Sequence, residues 1–331
     1  MKLGVVGFPS LYGGAGVELN DQLVVWQLMG IEVHIVPTGD PTNEPLLKQT
    51  MLRAIIHPPL DYKCFEGMPV ISFCNDVFLR DIEKIKQYAV MTIFVNCMTW
   101  LFDAEKAAHK NGLIDLFLYQ TERTQKRVGE TLQKINSKYN WKTFHSYADT
   151  RHLPFHDKRP TDRFRFGRVS REDADKYTND MNWIYETMVS PVLKSGIILG
   201  FDKRSEGKTG KPPDYIRAYP GNGISMQEFY AHSSCIIQKT ETFENWPRVG
   251  MEAMSSGSVL IVDDRGGWQD QVVHGETGWL CKDSREFVYY ASRMAYEASE
   301  RSKFARSALE RSKELFSKEK SIKSWKEVLG C

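Results

Sequence analysis

The sequence lacks the spacings that mark metal or disulfide proteins. Its six cysteines, Cys64, Cys74, Cys97, Cys235, Cys281 and Cys331, form no CxxC pair and share no His/Cys ligand spacing. That pattern excludes a zinc-type cluster and a disulfide framework, and it reads as reduced thiols in a cytosol. No uninterrupted apolar stretch approaches the roughly 20 residues of a membrane span. The opening MKLGVVGF is too short for a signal peptide and breaks at once into PSLYGGAG. A cytoplasmic location is therefore expected. There is little net charge: +2 gives the chain as a whole no pull toward nucleic acid. Short internal repeats are absent as well. What remains is ordinary globular material, 41% hydrophobic and 26% charged over 331 residues, which suits about two domains.

Strands and helices alternate twice along the chain. Lys2–Phe8 is a short apolar strand, followed by a glycine-rich loop, a helical VELNDQLVVWQLMG and a second strand at Ile31–Val36. This βαβ unit predicts a parallel sheet. Further strands are expected at Arg53–His57, Pro69–Cys74, Val90–Val95 and Leu116–Gln120, with helices between several of them. A proline-containing hinge, SYADTRHLPFHDKRPTDR, follows. The alternation then restarts with strands at Arg163–Val169, Gly196–Phe201, Tyr215–Gly221, CIIQK and Val259–Asp264. RSEGKTGKPPD (Arg204–Asp214) reads as a polar, flexible loop, and the end from about Ser284 to Leu329 as charged helix. The fold class is α/β, with two Rossmann-like domains facing a central cleft where ligands bind. The expected domains are 1–152, with a returning helix at about 318–331, and 153–317.

The most informative stretch is TETFENWPRVGMEAMSSG, Thr240–Gly257. Glu244 sits in a loop behind the strand CII, and Glu252 follows eight residues later in a helical run. Carboxylates near the carboxyl end of a strand suit hydroxyl-rich ligands, because each oxygen accepts hydrogen bonds. The loop Gly13–Gly14–Ala15–Gly16 lies before the first helix, where exposed N–H groups and the helix dipole favour a phosphate. It is an incomplete dinucleotide fingerprint, since Leu19 stands where a third glycine belongs. A tight turn is the alternative.

Taken in order, several segments carry a family resemblance. They are FGRV (Phe166–Val169), AYPGN, FYAHSS, Glu244 to Glu252 with AMSSG, Gly266–Gly267, and HGETGWL (His274–Leu280). Over about 120 residues this series resembles the retaining GT-B glycosyltransferases, in particular the family 4 group (glycosyl transferases group 1). The resemblance implies an enzyme that moves a sugar from a nucleotide-diphosphate donor, most simply a UDP-sugar, to a hydroxyl acceptor. It implies retention of configuration, a front-face mechanism, no required metal, and a last helix crossing back to the first domain.

Roles follow by resemblance, residue by residue. Arg168 corresponds to a phosphate-binding arginine, whose planar fork suits that anion. The family's lysine five residues later is replaced by Asp173, so Lys176 is the expected second cation, with Arg171 as the alternative. Glu244 corresponds to the glutamate facing the donor sugar, and Glu252 to the one accepting from the ribose. Tyr219 falls in the AYPGN element. Asn245, Trp246, Pro247 and Arg248 stand where relatives carry glycines; Pro247 offers no N–H, and Arg248 supplies charge there or makes a surface salt bridge. Gly14, Ala15 and Gly16 approach the donor phosphate or the acceptor. Asp263 and Asp264 suggest a DxD metal motif, but their place in the series favours a structural role. Asp149 resembles a linker aspartate, which reads either as a cleft residue or as a plain turn residue.

The acceptor is not specified. Loops after strands of the first domain nominate His57, Asn75, Asp76, Asn96 and Thr99. The hinge region is basic, with Arg151, Lys158, Arg159, Arg163, Arg165, Arg168 and Arg171. This reads either as a solvated linker or as a surface for polyanionic DNA, as in a phage-type enzyme acting in a host cytoplasm on a hydroxymethylated, flipped base. A saccharide or other small molecule is the simpler partner, and peripheral membrane contact stays open. The rival functions are a non-catalytic sugar-nucleotide-binding subunit and an NAD-dependent oxidoreductase. For the latter, Glu32 is a weak candidate ribose ligand.

Overall fold

A computed structural model describes residues 1–10, 14–39 and 43–331. Gly13, part of the first glycine-rich loop, lies outside the described residues. The chain divides into two units, Met1–Ala148 with Phe316–Cys331, and Asp149–Leu315. Residues 149–152, read from sequence as the end of the first domain, fall in the second unit.

The first unit is a parallel sheet in the order β3-β2-β1-β4-β5-β6-β7. Its strands are β1 (Lys2–Val6), β2 (Glu32–Val36), β3 (Ala54–Ile56), β4 (Pro69–Phe73), β5 (Met91–Val95), β6 (Leu116–Tyr119) and β7 (Trp141–Thr143). The central strands are buried on both faces, which is why KLGVV, PVISF and MTIFV read as apolar runs rather than alternating ones. Helices α1 (Gly14–Leu28), α2 (Glu44–Met51), α3 (Asp76–Lys86), α4 (Asp103–Lys110) and α5 (Glu122–Ile135) connect the strands. The strand order reverses at β1 and β4, so the loops leaving those two strands flank the crevice of this sheet.

Helix α1 starts at Gly14, so Gly14, Ala15 and Gly16 form its first turn instead of a free loop. Gly16 is needed there, because a Cβ would lie 2.6 Å from that of Ser10. The last helix, numbered α13 (Lys318–Leu329), packs on α1 within this unit. Trp325 is fully buried, and its Nε1 donates to Gln22 Oε1 at 2.6 Å. Gln22 in turn donates to Glu18 (2.7 Å), and Gln120 donates to the other Glu18 oxygen at 3.1 Å.

The second unit is a six-stranded parallel sheet in the order β10-β9-β8-β11-β12-β13. The strands are β8 (Arg163–Val169), β9 (Leu193–Leu199), β10 (Ile216–Tyr219), β11 (Cys235–Gln238), β12 (Val259–Asp263) and β13 (Gly278–Cys281). Its helices are α6 (Met181–Thr187), α7 (Lys203–Thr209), α8 (Met226–His232), α9 (Arg248–Ser256), α10 (Trp268–Gln271), α11 (Ser284–Tyr296) and α12 (Ala298–Leu315). The segment expected as a flexible loop at Arg204–Asp214 begins instead as α7. Asp202 caps it by accepting from Ser205 N at 2.9 Å, and Gly210 ends it with a positive φ (+79°) that glycine tolerates. Strand β13 was not anticipated from HGETGWL. Its Trp279 stacks on Tyr290 with ring centroids 4.1 Å apart. Among the described residues no helix is long and apolar enough to cross a membrane.

Candidate functional site

In the second unit the strand order reverses between β8 and β11, and the loops leaving those two strands carry the key side chains. The loop after β8 brings Lys176, and the loop after β11 brings Glu244. Lys176 Nζ lies 2.8 Å from Glu244 Oε1, with both side chains about one-sixth exposed, at 17%. A cation and a carboxylate thus meet at the point of an open α/β sheet where ligands bind.

The loop bearing Glu244 is built by close backbone approach. Gly267 N donates to Glu244 O at 2.8 Å, and a Cβ on Gly267 would lie 1.8 Å from Asn245 O. Gly266, with φ +60°, would place a Cβ 2.4 Å from Glu244 O. Both glycines of the Gly266–Gly267 pair therefore hold the loop in place. Asn245 is buried beneath it, while Trp246 and Arg248 are half-buried. Pro247 is the N-cap of α9. It has no N–H, but its carbonyl accepts from Gly250 N (3.0 Å) and Gln271 Nε2 (3.1 Å). Helix α9 has no side-chain hydrogen bond from its N-cap Pro247, and the positive end of its dipole begins four residues after Glu244 in the chain.

Glu252 is half-buried on α9, where Tyr230 OH donates to its Oε2 at 3.0 Å. Tyr230 was not nominated from sequence, although it lies inside the FYAHSS segment. Contact with the carboxylate and burial both push its phenol well above the usual tyrosine range, burial being the larger cause. It remains a donor at all physiological pH.

Arg168, for which the resemblance implies a phosphate role, is engaged by the protein's own backbone. It is fully buried. One terminal nitrogen donates to Lys239 O at 2.9 Å, the other to Lys176 O, and the guanidinium lies 4.4 Å from the centre of the Tyr177 ring. Arg168 braces the two loops that meet at the site, holding the backbone of Lys176 itself. Arg171 is exposed and 3.9 Å from Asp173, and Tyr219 is half-buried at the end of β10. The structure thus brings Lys176 and Glu244 together on the two loops, with Asn245 next in the chain and α9 following, while Arg171 faces Asp173 on the loop after β8.

The aspartate pair at the end of β12 has a structural role. Asp263 is buried and accepts from Thr240 N (2.8 Å) and Thr240 Oγ1 (3.1 Å). Burial raises its pKa, opposed by Thr240, Arg265 and Lys239. Asp264 accepts from Gln269 at 2.8 Å. No group of three or more metal-ligating side chains occurs among the described residues.

In the first unit the nominated acceptor residues separate. Asn75 is the N-cap of α3, accepting from Val77 N (2.9 Å) and Phe78 N (3.2 Å) and donating to Thr38 Oγ1 (2.8 Å). Asp76 is exposed in the first turn of that helix. Asn96 is fully buried. It donates to both oxygens of Glu105 and to Trp100 O, which makes it a loop pin rather than an exposed ligand. Thr99 is half-buried, and its carbonyl accepts from Arg127. His57 lines a separate cavity, described below.

The basic hinge is largely neutralised. Arg151 pairs with Asp149, and Arg165 with Asp162, at 2.6 and 2.8 Å. Arg159 donates to the carbonyls of Tyr230, Ala231 and Ser256, and burial lowers its pKa to about 10. Asp149, read as either a cleft or a turn residue, is the partner that holds Arg151.

Comparisons with known proteins decide the fold. The Anabaena protein Alr3699/HepE, solved in complex with UDP and glucose, superposes with a TM-score of 0.77 over 100% of this chain and 99% of its own, at 14% identity. TarM, a protein of S. aureus, gives 0.80 at 11% identity, covering 100% of this chain and 99% of its own. Sucrose-phosphate synthase from Thermosynechococcus elongatus gives 0.75 at 13%, covering 99% and 98%. The fold is GT-B. Within this GT-B chain, residues 221–310 match the family model described as Glycosyl transferases group 1. That segment contains Glu244, Glu252 and the Gly266–Gly267 pair; Arg168 and Lys176 precede it. No curated protein matches the chain by sequence.

Proposed function

We propose that this chain is a retaining glycosyltransferase that moves a sugar from a nucleotide diphosphate, most simply UDP, to a hydroxyl acceptor. The observation that carries this reading is the Lys176–Glu244 pair, 2.8 Å apart, where β8 and β11 end. The group 1 segment and the UDP and glucose bound to HepE support it.

As the bond from the anomeric carbon to the diphosphate breaks, its electron pair goes to the phosphate oxygen. Positive groups fixed at that oxygen lower the barrier. Lys176 and the amino end of α9 supply them, with Arg171 on the loop after β8. In the resting protein Glu244 neutralises Lys176; with donor bound, Lys176 turns to the diphosphate and Glu244 accepts from sugar hydroxyls. Glu252, oriented by Tyr230, accepts from the ribose. The acceptor hydroxyl attacks the face the diphosphate leaves, and the departing oxygen takes its proton, so configuration is retained. Arg168 acts through the backbone of Lys176. Catalysis without a metal is favoured because Asp263 is engaged by Thr240 and does not present a chelating pair with Asp264. A saccharide or other small-molecule acceptor is favoured over DNA, because the hinge arginines are already paired or buried.

The test is a panel of nucleotide sugars and hydroxyl acceptors, with EDTA present, the product read by NMR. The proposal expects α-linked product from an α-linked donor and no dependence on added metal. Binding of UDP-sugar without turnover under every acceptor would favour a binding subunit, and indifference to all nucleotide sugars would exclude the reading.

A further inference from the structure

A second cavity opens in the first unit, outside the carboxyl ends of β2 and β3 and beside the first turn of α3. Its volume is about 530 Å³, within the range of small-molecule sites. Pro37, Ile56, Leu60 and Val77 give it mainly apolar walls, and His57 and Arg80 are its titratable groups.

His57 ends a chain of hydrogen bonds that fixes which way its ring is protonated. Its Nε2 lies 2.9 Å from His34 Nδ1, and His34 Nε2 lies 2.8 Å from Glu32 Oε1. Glu32 is also 3.0 Å from Lys2, and both neighbours hold its carboxyl below the usual glutamate range, Lys2 more strongly. An ionised carboxylate only accepts. With both imidazoles neutral, His34 must therefore donate from Nε2 and accept at Nδ1, and His57 must donate from Nε2. That leaves a lone pair on His57 Nδ1, which no described residue engages. Burial lowers the His57 pKa, as does His34, while Asp61 opposes the shift.

We propose that this cavity binds a small hydroxylated molecule with an apolar body and an acidic end, its hydroxyl donating to His57 Nδ1 and its anion meeting Arg80. The chain of hydrogen bonds from Glu32 through His34 thus presents an acceptor on a residue of the cavity wall, which a hydroxyl can meet. Arg80 is exposed and offers a fixed charge at the rim.

The test uses the full chain at pH 8, above the ordinary histidine range. 4-Hydroxyphenylacetate is titrated by calorimetry beside phenylacetate, and the ¹⁵N resonances of the His57 ring are followed by NMR. The hydroxylated acid is expected to bind about tenfold more tightly than phenylacetate, to shift the Nδ1 resonance, and to weaken about tenfold in Arg80→Gln. Absence of binding, equal binding of the two acids, or an unmoved Nδ1 resonance would overturn the proposal. Binding alone is read, so the outcome is independent of whether the chain transfers sugar.

Discussion

At the scale of single residues, strand parity accounts for the burial of Arg168. In RFRFGRV, Phe164, Phe166 and Arg168 point to one side of β8, and the two phenylalanines belong to the core of the second unit. The side chain is drawn inward with them, and its charge is balanced by backbone carbonyls and an aromatic face. Arg168→Ala would leave Lys176 O and Lys239 O without their donor in a buried place. A loss of about 3 kcal/mol or more in urea unfolding is expected, together with a raised KM for UDP-sugar. A variant of unchanged stability would contradict the brace. Lys176→Met, by contrast, removes a cation at the site and should lower kcat by more than tenfold with little change in unfolding.

Glu105 carries the clearest pH dependence. Burial raises its pKa to about 7 from 4.5, against Asn96, Phe102 N–H and Lys106, which lower it. The folded state therefore binds the proton more tightly than the unfolded chain. That stability is fully present below about pH 4.5 and is lost as pH rises through 7, about 3 kcal/mol in all. Glu105→Gln keeps an acceptor for Asn96 and Phe102 N–H and should flatten the pH 5–8 stability profile. An unaltered slope by chemical denaturation would show that another group is responsible.

At the scale of elements, apolar runs and helical periodicity place most strands and helices to within a few residues. Short elements are the exceptions: α7 depends on the Asp202 cap, and β13 on pairing with β12. Neither depends on a periodic pattern that sequence alone displays. Within the site, Glu244 and Glu252 were legible because they stand in an ordered series of motifs. Tyr230, Asp263 and the burial of Asn96 depend on contacts between distant segments, which spacing does not encode. The last helix shows the same division. SIKSWKEVLG was legible as a returning helix, but its anchor is Trp325, edge-on to Trp26 with centroids 5.1 Å apart and bonded to Gln22. Trp325→Ala should cost about 3–5 kcal/mol of first-unit stability, measured by urea unfolding. A loss below 1 kcal/mol would mean the helix is held elsewhere.

At the scale of the whole molecule, two sheets each reverse strand order once, and each has chemistry beside the reversal or at its own edge. The second unit carries Lys176 and Glu244 at β8 and β11. The first carries the His57 cavity outside β2 and β3. UDP at a hundred times its Kd should add about 2.7 kcal/mol to unfolding of whatever cooperative unit contains its site. A hydrogen-exchange map in the presence of UDP should place that protection in the loops 170–180 and 239–248. Protection elsewhere would move the donor site away from the pair.

The most direct measurement is single-turnover release of UDP from UDP-glucose and a panel of other UDP-sugars, comparing the native chain with Lys176→Met and Glu244→Gln. The account predicts turnover of at least one donor by the native chain and a loss of tenfold or more in each variant, with folding intact by circular dichroism. Native-like rates in both variants would contradict it.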